Sequence, residues 1–371
     1  MKKILLLAIL AINIIGCSTK DYQISGEFSD NRYENAKIYL GERINREWVK
    51  SDSVVVKNGK FEFSGTVDSV KVCYLWLDAT PEQGSTEKYA FILESGKLTV
   101  KTDSVGTINV NGTKQNEILT QYKAETGSVM ARADDVIRKF EAASKTDSSA
   151  ILKDTVDAQV KKLIDENTQI EVKYALNNVN TMVGSHIFMN TFYDFTLEQK
   201  EALFAKMDAQ TRTIPRIAEL IAASEVEKKT SKGQPYVDFS MTTPNGKTVK
   251  LSDYVGKTDY LLVDFWASWC PDCVASFPAL TAFYTKNKGL KFDVIGVSLD
   301  NEKERWIGAI AKYKLVWHHV SDLQKWSSNG AKQYAVNAIP TTVLIDKNGK
   351  IAARNPDLKE LQNLLNQIVT K

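Results

Sequence analysis

The chain has few cysteines and histidines for its length: four Cys and three His among 371 residues. Small disulfide-rich scaffolds are therefore excluded, because they depend on a much denser set of cysteines. The formal charge of +3, from 48 basic and 45 acidic residues, does not indicate a nucleic-acid partner. A chain of this length with 43% hydrophobic residues predicts two or three domains, each with its own core.

The apolar run near the N-terminus is too short to span a bilayer. It extends from Ile4 to Ile15 after the basic start Met1-Lys2-Lys3, whereas a transmembrane helix needs ~20 residues. This pattern is typical of a secretory signal peptide. The simplest interpretation of the cysteine that follows, Cys17, is that it occurs there by chance.

A second interpretation gives Cys17 a function. The segment Ile14-Ile15-Gly16-Cys17 resembles the lipobox of bacterial lipoproteins, with two isoleucines in place of the usual Leu and small residue. The resemblance implies a signal peptide over residues 1–17 and acyl chains on Cys17 that hold the protein at a membrane surface. We therefore expect a lipid-anchored protein at a bacterial envelope membrane, with its folded domains outside the cytoplasm, in the periplasm.

Three regions follow, and they differ in pattern. Residues 22–113 contain short alternating runs separated by turn residues, which predicts an all-β sandwich. The turn Asn58-Gly59 predicts a tight hairpin between two of these runs. Residues 114–230 have the periodicity of amphipathic helices and predict a central α-helical region. Residues 235–371 alternate strands and helices, which predicts an α/β domain with helices on both faces of a sheet.

The pair Cys270 and Cys273 carries the clearest chemical signal. An apolar strand-like run, residues 260–266, precedes the pair, and a helical pattern follows it. Two thiols at this spacing, where a strand gives way to a helix, suit reversible disulfide chemistry, because the helix N-terminus stabilises a thiolate. Half of a zinc site is the alternative, but it needs two more ligands, and the chain offers no second pair at metal spacing. No metal and no cofactor is expected.

Several landmarks point to a known superfamily. The segment from Asp264 to Cys273, DFWASWCPDC, looks like the active-site segment of the thioredoxin superfamily. Pro278 matches the proline of the active-site helix, and Ile339-Pro340-Thr341 matches the cis-proline loop. The extra segment between Val297 and Ile339 resembles the TlpA/ResA-like branch. The region around Asn58-Gly59 resembles a β domain of unknown function that precedes such domains in Bacteroidetes-type lipoproteins.

The resemblance implies a role for each matched residue. Cys270 is expected to be the exposed nucleophile, and Cys273 the buried thiol that resolves the mixed disulfide. Asp264 is expected to act as the base for Cys273, or else to be a paired core acid. Trp269 and Pro271 would support the site, while Ile339, Pro340 and Thr341 would face a bound peptide. The negative charge of Asp272 should disfavour the thiolate and give a reducing potential, nearer ~−270 mV than ~−120 mV.

We therefore expect a thiol–disulfide oxidoreductase that reduces protein or peptide disulfides and receives electrons from a membrane thiol-transfer protein. Two other functions stay open. A peroxiredoxin-like thiol peroxidase usually has Thr three residues before its reactive cysteine, where this chain has Ala267. A non-enzymatic ligand-binding lipoprotein would use the β domain, with Trp48, Tyr74 and Trp76 as a possible binding face, although aromatic residues in strands more often belong to the core.

Overall fold

The structure is a computed structural model that describes residues 21–28, 33–44, 47–77, 88–102, 108–144, 150–289 and 291–367. The expected signal peptide and lipidation site at Cys17 lie outside these residues. The chain divides into two compact units, Met1–Thr191 with Ala205–Thr211, and Phe192–Phe204 with Arg212–Lys371. In the described ranges, no helix is both long enough and apolar enough to cross a membrane.

The N-terminal strands form a β-sandwich, as predicted. The strands are β1 (Asp21–Glu27), β2 (Lys37–Ile44), β3 (Glu47–Val55), β4 (Lys60–Thr66), β5 (Lys71–Leu77), β6 (Lys88–Leu93), β7 (Gly96–Thr102) and β8 (Ile108–Asn111). They build two four-stranded sheets in the orders β4-β1-β7-β8 and β3-β2-β5-β6. Buried side chains of both sheets, including Ile24, Leu40, Phe63 and Leu75, share one core. The alternation of apolar and polar residues places these side chains on the inner faces.

The turn Asn58-Gly59 is tight, as predicted, because Lys57 and Lys60 on either side of it exchange two backbone hydrogen bonds, at 2.9 and 3.0 Å, but the hairpin does not extend along the flanking strands. Both residues have positive φ, 51° and 72°, so the local geometry agrees with the sequence. The flanking strands, however, lie in different sheets, because β3 pairs with β2 and β4 pairs with β1. The Glu34 carboxylate accepts hydrogen bonds from both turn amides, at 3.1 and 3.0 Å. The turn therefore carries the chain from one sheet to the other.

The middle of the chain is helical, as predicted. Its helices are α1 (Lys114–Ser144), α2 (Ala150–Asn177), α3 (Met182–Thr191), α4 (Leu197–Lys206), α5 (Ala209–Arg212) and α6 (Pro215–Lys229). The periodicity of amphipathic helices does not indicate α3, which is short and apolar, or α5, which has only four residues. Thr196 caps α4, because its hydroxyl accepts from the Gln199 amide and the Gln199 side chain accepts from the Thr196 amide. The domain bounds 22–113, 114–230 and 235–371 stay a prediction.

The C-terminal part is the expected α/β thioredoxin-like fold. Its elements are β9 (Ser240–Thr242), β10 (Thr248–Lys250), β11 (Tyr260–Trp266), α7 (Pro271–Asn287), β12 (Phe292–Ser298), α8 (Lys303–Tyr313), β13 (His318–Ser321), α9 (Asn329–Gln333), β14 (Thr341–Asp346), β15 (Ile351–Arg354) and α10 (Leu358–Gln367). They contain one seven-stranded sheet in the order β10-β9-β13-β12-β11-β14-β15. The strands β11, β12 and β13 are parallel, and β14 runs antiparallel to β11.

This topology brings several loops to one edge of the sheet. The carboxyl ends of three parallel strands meet there, and the antiparallel β14 begins at the same edge. Helix α7 starts directly after β11 and packs on the sheet, where the Phe277 ring meets the Trp266 ring edge-on at 5.3 Å. Pro278 lies inside α7. The loops at this edge contain the residues of the candidate active site.

Candidate active site

A disulfide joins Cys270 and Cys273 at the start of α7. Cys270 is the N-cap of the helix and has an extended backbone, and Pro271 is the first helical residue. Proline is favoured there because its missing N–H would be unpaired anyway. The two Cα atoms are 5.3 Å apart, so the bond needs no movement of the backbone. The pair can therefore be opened and closed by thiol–disulfide exchange.

The solvent accessibility of Cys270 differs from the expectation, whereas Cys273 is buried as expected. Both are buried, with 4% of Cys270 and 1% of Cys273 exposed. The prediction of an exposed Cys270 was wrong for this disulfide form. The Cys270 Sγ lies 3.5 Å from the carbonyl oxygen of Ile339, a residue 69 positions further along the chain. The loop before β14 thus covers the sulfur.

The helix start provides a hydrogen bond to the first sulfur. The Cys273 amide donates to the Cys270 Sγ at 3.1 Å. A thiolate at this position would keep that hydrogen bond and would also be stabilised by the positive end of the helix dipole. Asp272, in the first turn, is exposed, so solvent screens its carboxylate from the sulfur.

Asp264 is buried beneath α7. It lies on β11 two residues before Trp266, and alternation along the strand places both side chains on the face that α7 covers. Burial alone raises the pKa of its carboxyl group from 3.8 to about 7. The described basic residues make no ion pair with it, which disfavours the alternative of a paired core acid. The carboxyl group can therefore exchange a proton near neutral pH.

The loop facing the disulfide has the expected geometry. The Ile339–Pro340 peptide bond is cis. Neither peptide group of Ile339 takes part in a backbone hydrogen bond within the described residues. Thr341 is buried, and its hydroxyl donates to the Ala338 carbonyl oxygen at 2.7 Å. The Ile339 carbonyl group of this loop thus lies beside the disulfide.

The two adjacent histidines point to opposite faces of β13. His318 is half exposed, and the nearby Asp293 carboxylate raises the pKa of its imidazole. His319 is buried between the rings of Trp266 and Trp317, and this burial lowers its pKa to about 4. In the described part of the chain, His, Cys, Asp and Glu form no group of three that could hold a metal ion.

Comparisons with known proteins agree with this geometry. Residues 232–354 match the AhpC/TSA family, and residues 22–119 match a domain of unknown function, DUF4369. The thiol–disulfide oxidoreductase ResA of Bacillus thuringiensis subsp. konkukian is 30% identical over 125 residues, which cover 34% of this chain and 69% of that protein. The chain belongs to the ResA-like thiol–disulfide oxidoreductases.

Other relatives lead to the same family. ResA of Geobacillus kaustophilus is 32% identical over 119 residues, which cover 32% of this chain and 66% of that protein. A solved structure, the C-terminal domain of a thiol–disulfide oxidoreductase from Bacteroides thetaiotaomicron, is 33% identical, with 38% of this chain and 98% of that chain covered and a TM-score of 0.36. The two ResA relatives confirm the resemblance to the TlpA/ResA-like branch for the C-terminal domain.

Sequence reasoning missed Asp300 in this ResA-like oxidoreductase. The residue follows β12 and is 1% exposed. Its carboxylate accepts hydrogen bonds from the Ser268 amide at 3.1 Å, the Ser268 hydroxyl at 2.6 Å and the Ser298 hydroxyl at 2.7 Å. Charged acceptors make strong hydrogen bonds, so Asp300 holds the segment that leads into Cys270. Only its position directly after a buried strand could have indicated this role.

Trp326 was missed as well. It lies in a short turn after β13, and its ring meets that of Trp269 at 6.1 Å in an edge-on arrangement. Trp269 is 42% exposed and Trp326 is 45% exposed. Two exposed indole rings beside a redox disulfide give the ResA-like site an apolar rim. The sequence shows Trp326 as a lone aromatic residue in a polar loop, which is a weak signal.

Proposed function

We propose that this oxidoreductase reduces protein disulfides through the Cys270–Cys273 pair, at a membrane surface outside the cytoplasm. The observation that supports it best is the disulfide at the start of α7, with the Ile339 loop beside its first sulfur and the buried Asp264 on the preceding strand. A peptide that binds the Ile339 backbone would lie beside the first sulfur, and Asp264 would accept a proton from the second thiol.

The reaction begins with the reduced enzyme. The Cys270 thiolate attacks one sulfur of a substrate disulfide, forms a mixed disulfide and releases the other substrate sulfur as a thiolate, which takes up a proton. The Cys273 amide and the helix dipole stabilise the attacking thiolate. The unpaired peptide groups of Ile339 are placed to bind the substrate backbone beside the sulfur.

Cys273 then resolves the mixed disulfide. Its thiol gives a proton to Asp264, directly or through water, and the resulting thiolate attacks Cys270. The substrate leaves as a second thiol, and the enzyme keeps a disulfide, so two electrons have passed to the substrate. A membrane thiol-transfer protein would return two electrons to the Cys270–Cys273 pair.

The reduction potential of the Cys270–Cys273 pair, measured on the purified protein, tests the direction of this reaction. We expect a value below about −220 mV, measured by equilibration with glutathione and dithiothreitol buffers, because Pro271 and Asp272 between the cysteines supply no positive charge that would stabilise the thiolate and hence the reduced form. The variant Asp272→Asn should raise the potential by no more than about 20 mV, since the residue is exposed. The variant Glu360→Gln, at an exposed acid of α10, is the matched control. A value above about −150 mV would refute the reductase proposal.

The two other functions are separable by activity measurements. A thiol peroxidase would consume peroxide through Cys270 alone, so Cys273→Ser would retain turnover. A binding lipoprotein would not turn over disulfides at all. We expect instead that insulin reduction requires both cysteines and that peroxide consumption is negligible.

The proposal includes the cellular location of the protein. A lipid on Cys17 would anchor the chain at an envelope membrane, where an electron-donating membrane protein could reach it. Mass spectrometry of the N-terminal peptide, purified from the native bacterial membrane, tests this directly. We expect a mature chain that begins at an acylated Cys17, and an unmodified Cys17 would contradict the anchor.

A further inference from the structure

One outer sheet face of the β-sandwich combines aromatic rings with basic side chains. It belongs to the sheet β3-β2-β5-β6, and we call it the cationic aromatic face. Its rings and cations come from adjacent positions of the four strands. The residues that define it are Tyr39, Trp48, Trp76, Arg43, Lys50 and Lys88.

The basic groups lie directly over the rings. The Lys50 Nζ is 3.5 Å from the centre of the Tyr39 ring, and the Lys88 Nζ is 4.8 Å from that of Trp48. The Arg43 guanidinium is 5.4 Å from the Trp48 ring. A cation–π contact holds a cation in place and keeps its charge. Arg43 and Lys50 therefore present fixed positive charge on this face.

Acidic residues are kept off this face. Pairing and alternation place Glu42, Glu47 and Asp52 on the opposite side of the β2–β3 hairpin. None of the described residues of the four strands that alternate to the cationic aromatic face is acidic. The charge of the face is thus complementary to an anionic surface.

Near the end of the β2–β3 hairpin, the described residues place apolar side chains on both faces of the sheet; we call Arg43, Ile44, Trp48, Val49 and Lys50 the end of the β2–β3 hairpin. Trp48 lies on the cationic aromatic face, whereas Ile44 and Val49 point to the other side. Their exposed fractions are 41%, 48% and 43%. Trp48 and Val49 lie on the edge strand β3, and Ile44 is the last residue of β2. Tryptophan, aliphatic and basic side chains together are typical of segments that rest in a membrane interface.

The start of β1 lies at the same end of the sandwich as this hairpin end. Tyr22, the second residue of β1, packs against the core that both sheets share. The charges of Asp52 and Lys71 act on its phenol: burial first and then the Asp52 carboxylate raise its pKa, and Lys71 lowers it. The Lys71 ammonium in turn donates to the Glu42 carboxylate at 2.7 Å. Glu42 is the neighbour of Arg43 in the hairpin. Cys17 precedes the first residue of β1 by four positions, a reach of at most about 14 Å.

We propose that the end of the β2–β3 hairpin rests on an anionic lipid surface. Ile44, Trp48 and Val49 enter the headgroup region, and Arg43 and Lys50 bind lipid phosphates. The inference rests on the proposed lipid anchor, which brings this end of the sandwich to the membrane. Its consequence is a second membrane contact that orients the β-sandwich on the bilayer, since attachment at a single point leaves a domain free to rotate.

Vesicle binding by the full chain without its lipid tests the inference. The variant Cys17→Ser removes acylation, and flotation then measures partition onto vesicles of phosphatidylcholine with or without phosphatidylglycerol. We expect binding to the anionic vesicles only. Each basic residue near an anionic surface contributes about fivefold in partition, so Arg43→Glu with Lys50→Glu should lower binding by at least about 25-fold. Val49→Asp should also weaken it.

Matched controls separate membrane contact from folding. Lys162→Glu and Ile164→Asp make the same kinds of change at exposed positions of α2, and both should leave partition unchanged. Insulin reduction should be unchanged in every variant. No binding to anionic vesicles, or equal loss in the controls, would overturn the inference, as would a dimer that the hairpin variants dissociate without any vesicle binding. Hairpin-dependent vesicle binding with an unmodified native Cys17 would refute the anchor and still support the lipid contact.

Discussion

Replacing Asp264 by Asn should stabilise the protein increasingly as the pH rises. Burial raises the pKa of this carboxyl group from 3.8 to about 7. Between those values the folded state binds the proton more tightly than the unfolded state, so the free energy of unfolding falls as the pH increases. About three pKa units correspond to ~4 kcal/mol, and the whole loss is present above pH 7. Asparagine has nearly the same shape as aspartate and cannot ionise. The free energy of unfolding of the variant therefore does not fall through ionisation at this position.

Urea unfolding of the oxidised protein measures the effect. The difference in unfolding free energy between variant and parent should be small near pH 4 and grow by about 1.4 kcal/mol per pH unit up to pH 7. Tryptophan fluorescence is a suitable probe, because the C-terminal domain contains Trp266, Trp269, Trp306, Trp317 and Trp326 and only two other tryptophans occur in the chain. The exposed Glu360 supplies the control, since Glu360→Gln removes a carboxyl group without any burial.

The same variant probes the proposed role of Asp264 in catalysis. Without a proton acceptor, Cys273 should resolve the mixed disulfide 10²- to 10⁴-fold more slowly, while the first attack by Cys270 is unaffected. A stability difference that stays constant with pH would refute the burial argument. A normal rate of resolution would refute the role as base, whatever the stability shows.

Three further predictions concern other parts of the site. Cys273→Ser should accumulate a mixed disulfide between Cys270 and substrate, visible by mass spectrometry, whereas Cys270→Ser should form none. Asp300→Asn should destabilise the domain by about 1–3 kcal/mol in urea unfolding, because an amide cannot accept all three hydrogen bonds of the carboxylate; unchanged stability would contradict its role in holding the Ser268 segment. Trp326→Ala should raise KM about 2- to 10-fold for peptide disulfides with an aromatic neighbour and leave the reduction potential unchanged. Val316→Ala, at an exposed apolar residue before β13, is its control, and an equal rise in KM there would contradict the rim.

The residues proposed to carry out the reaction and the residues that hold or border them come from different parts of the chain, so variants can distinguish the two groups. The two sulfurs and Asp264 come from one continuous segment, β11 and the start of α7. Asp300, Ile339 and Trp326 come from three other loops and hold or border that segment. We therefore expect variants of the first group to change individual steps, and variants of the second group to change stability or substrate binding.

Local sequence was sufficient for much of the C-terminal domain. The predicted strand 260–266 and helix 271–287 match β11 and α7, because an apolar run followed by a capping cysteine and a proline leaves little other choice. The turn at Pro244-Asn245-Gly246 joins β9 to β10, as its residues indicate. The resemblance to the thioredoxin superfamily rested on this continuous segment together with Ile339-Pro340-Thr341.

Long-range contacts decided what the local pattern could not. The tight turn at Asn58-Gly59 was predicted correctly. The predicted pairing of the two strands that flank it was wrong, because β4 pairs with β1, which lies far back in the chain. The burial of Cys270 depends on Ile339, and the placement of Ser268 depends on Asp300. Neither partner is near the cysteines in sequence.

The sequence by itself determined the redox pair, the helix that carries it and the type of each domain, since these follow from the order of neighbouring residues. Only the tertiary structure decided which loops surround the disulfide, how deeply Asp264 is buried, and that one face of the β-sandwich is free of acidic side chains across its described strands. The physical reason is that burial, pKa and surface charge depend on which strands and loops pack together, and packing joins residues that the chain order keeps apart.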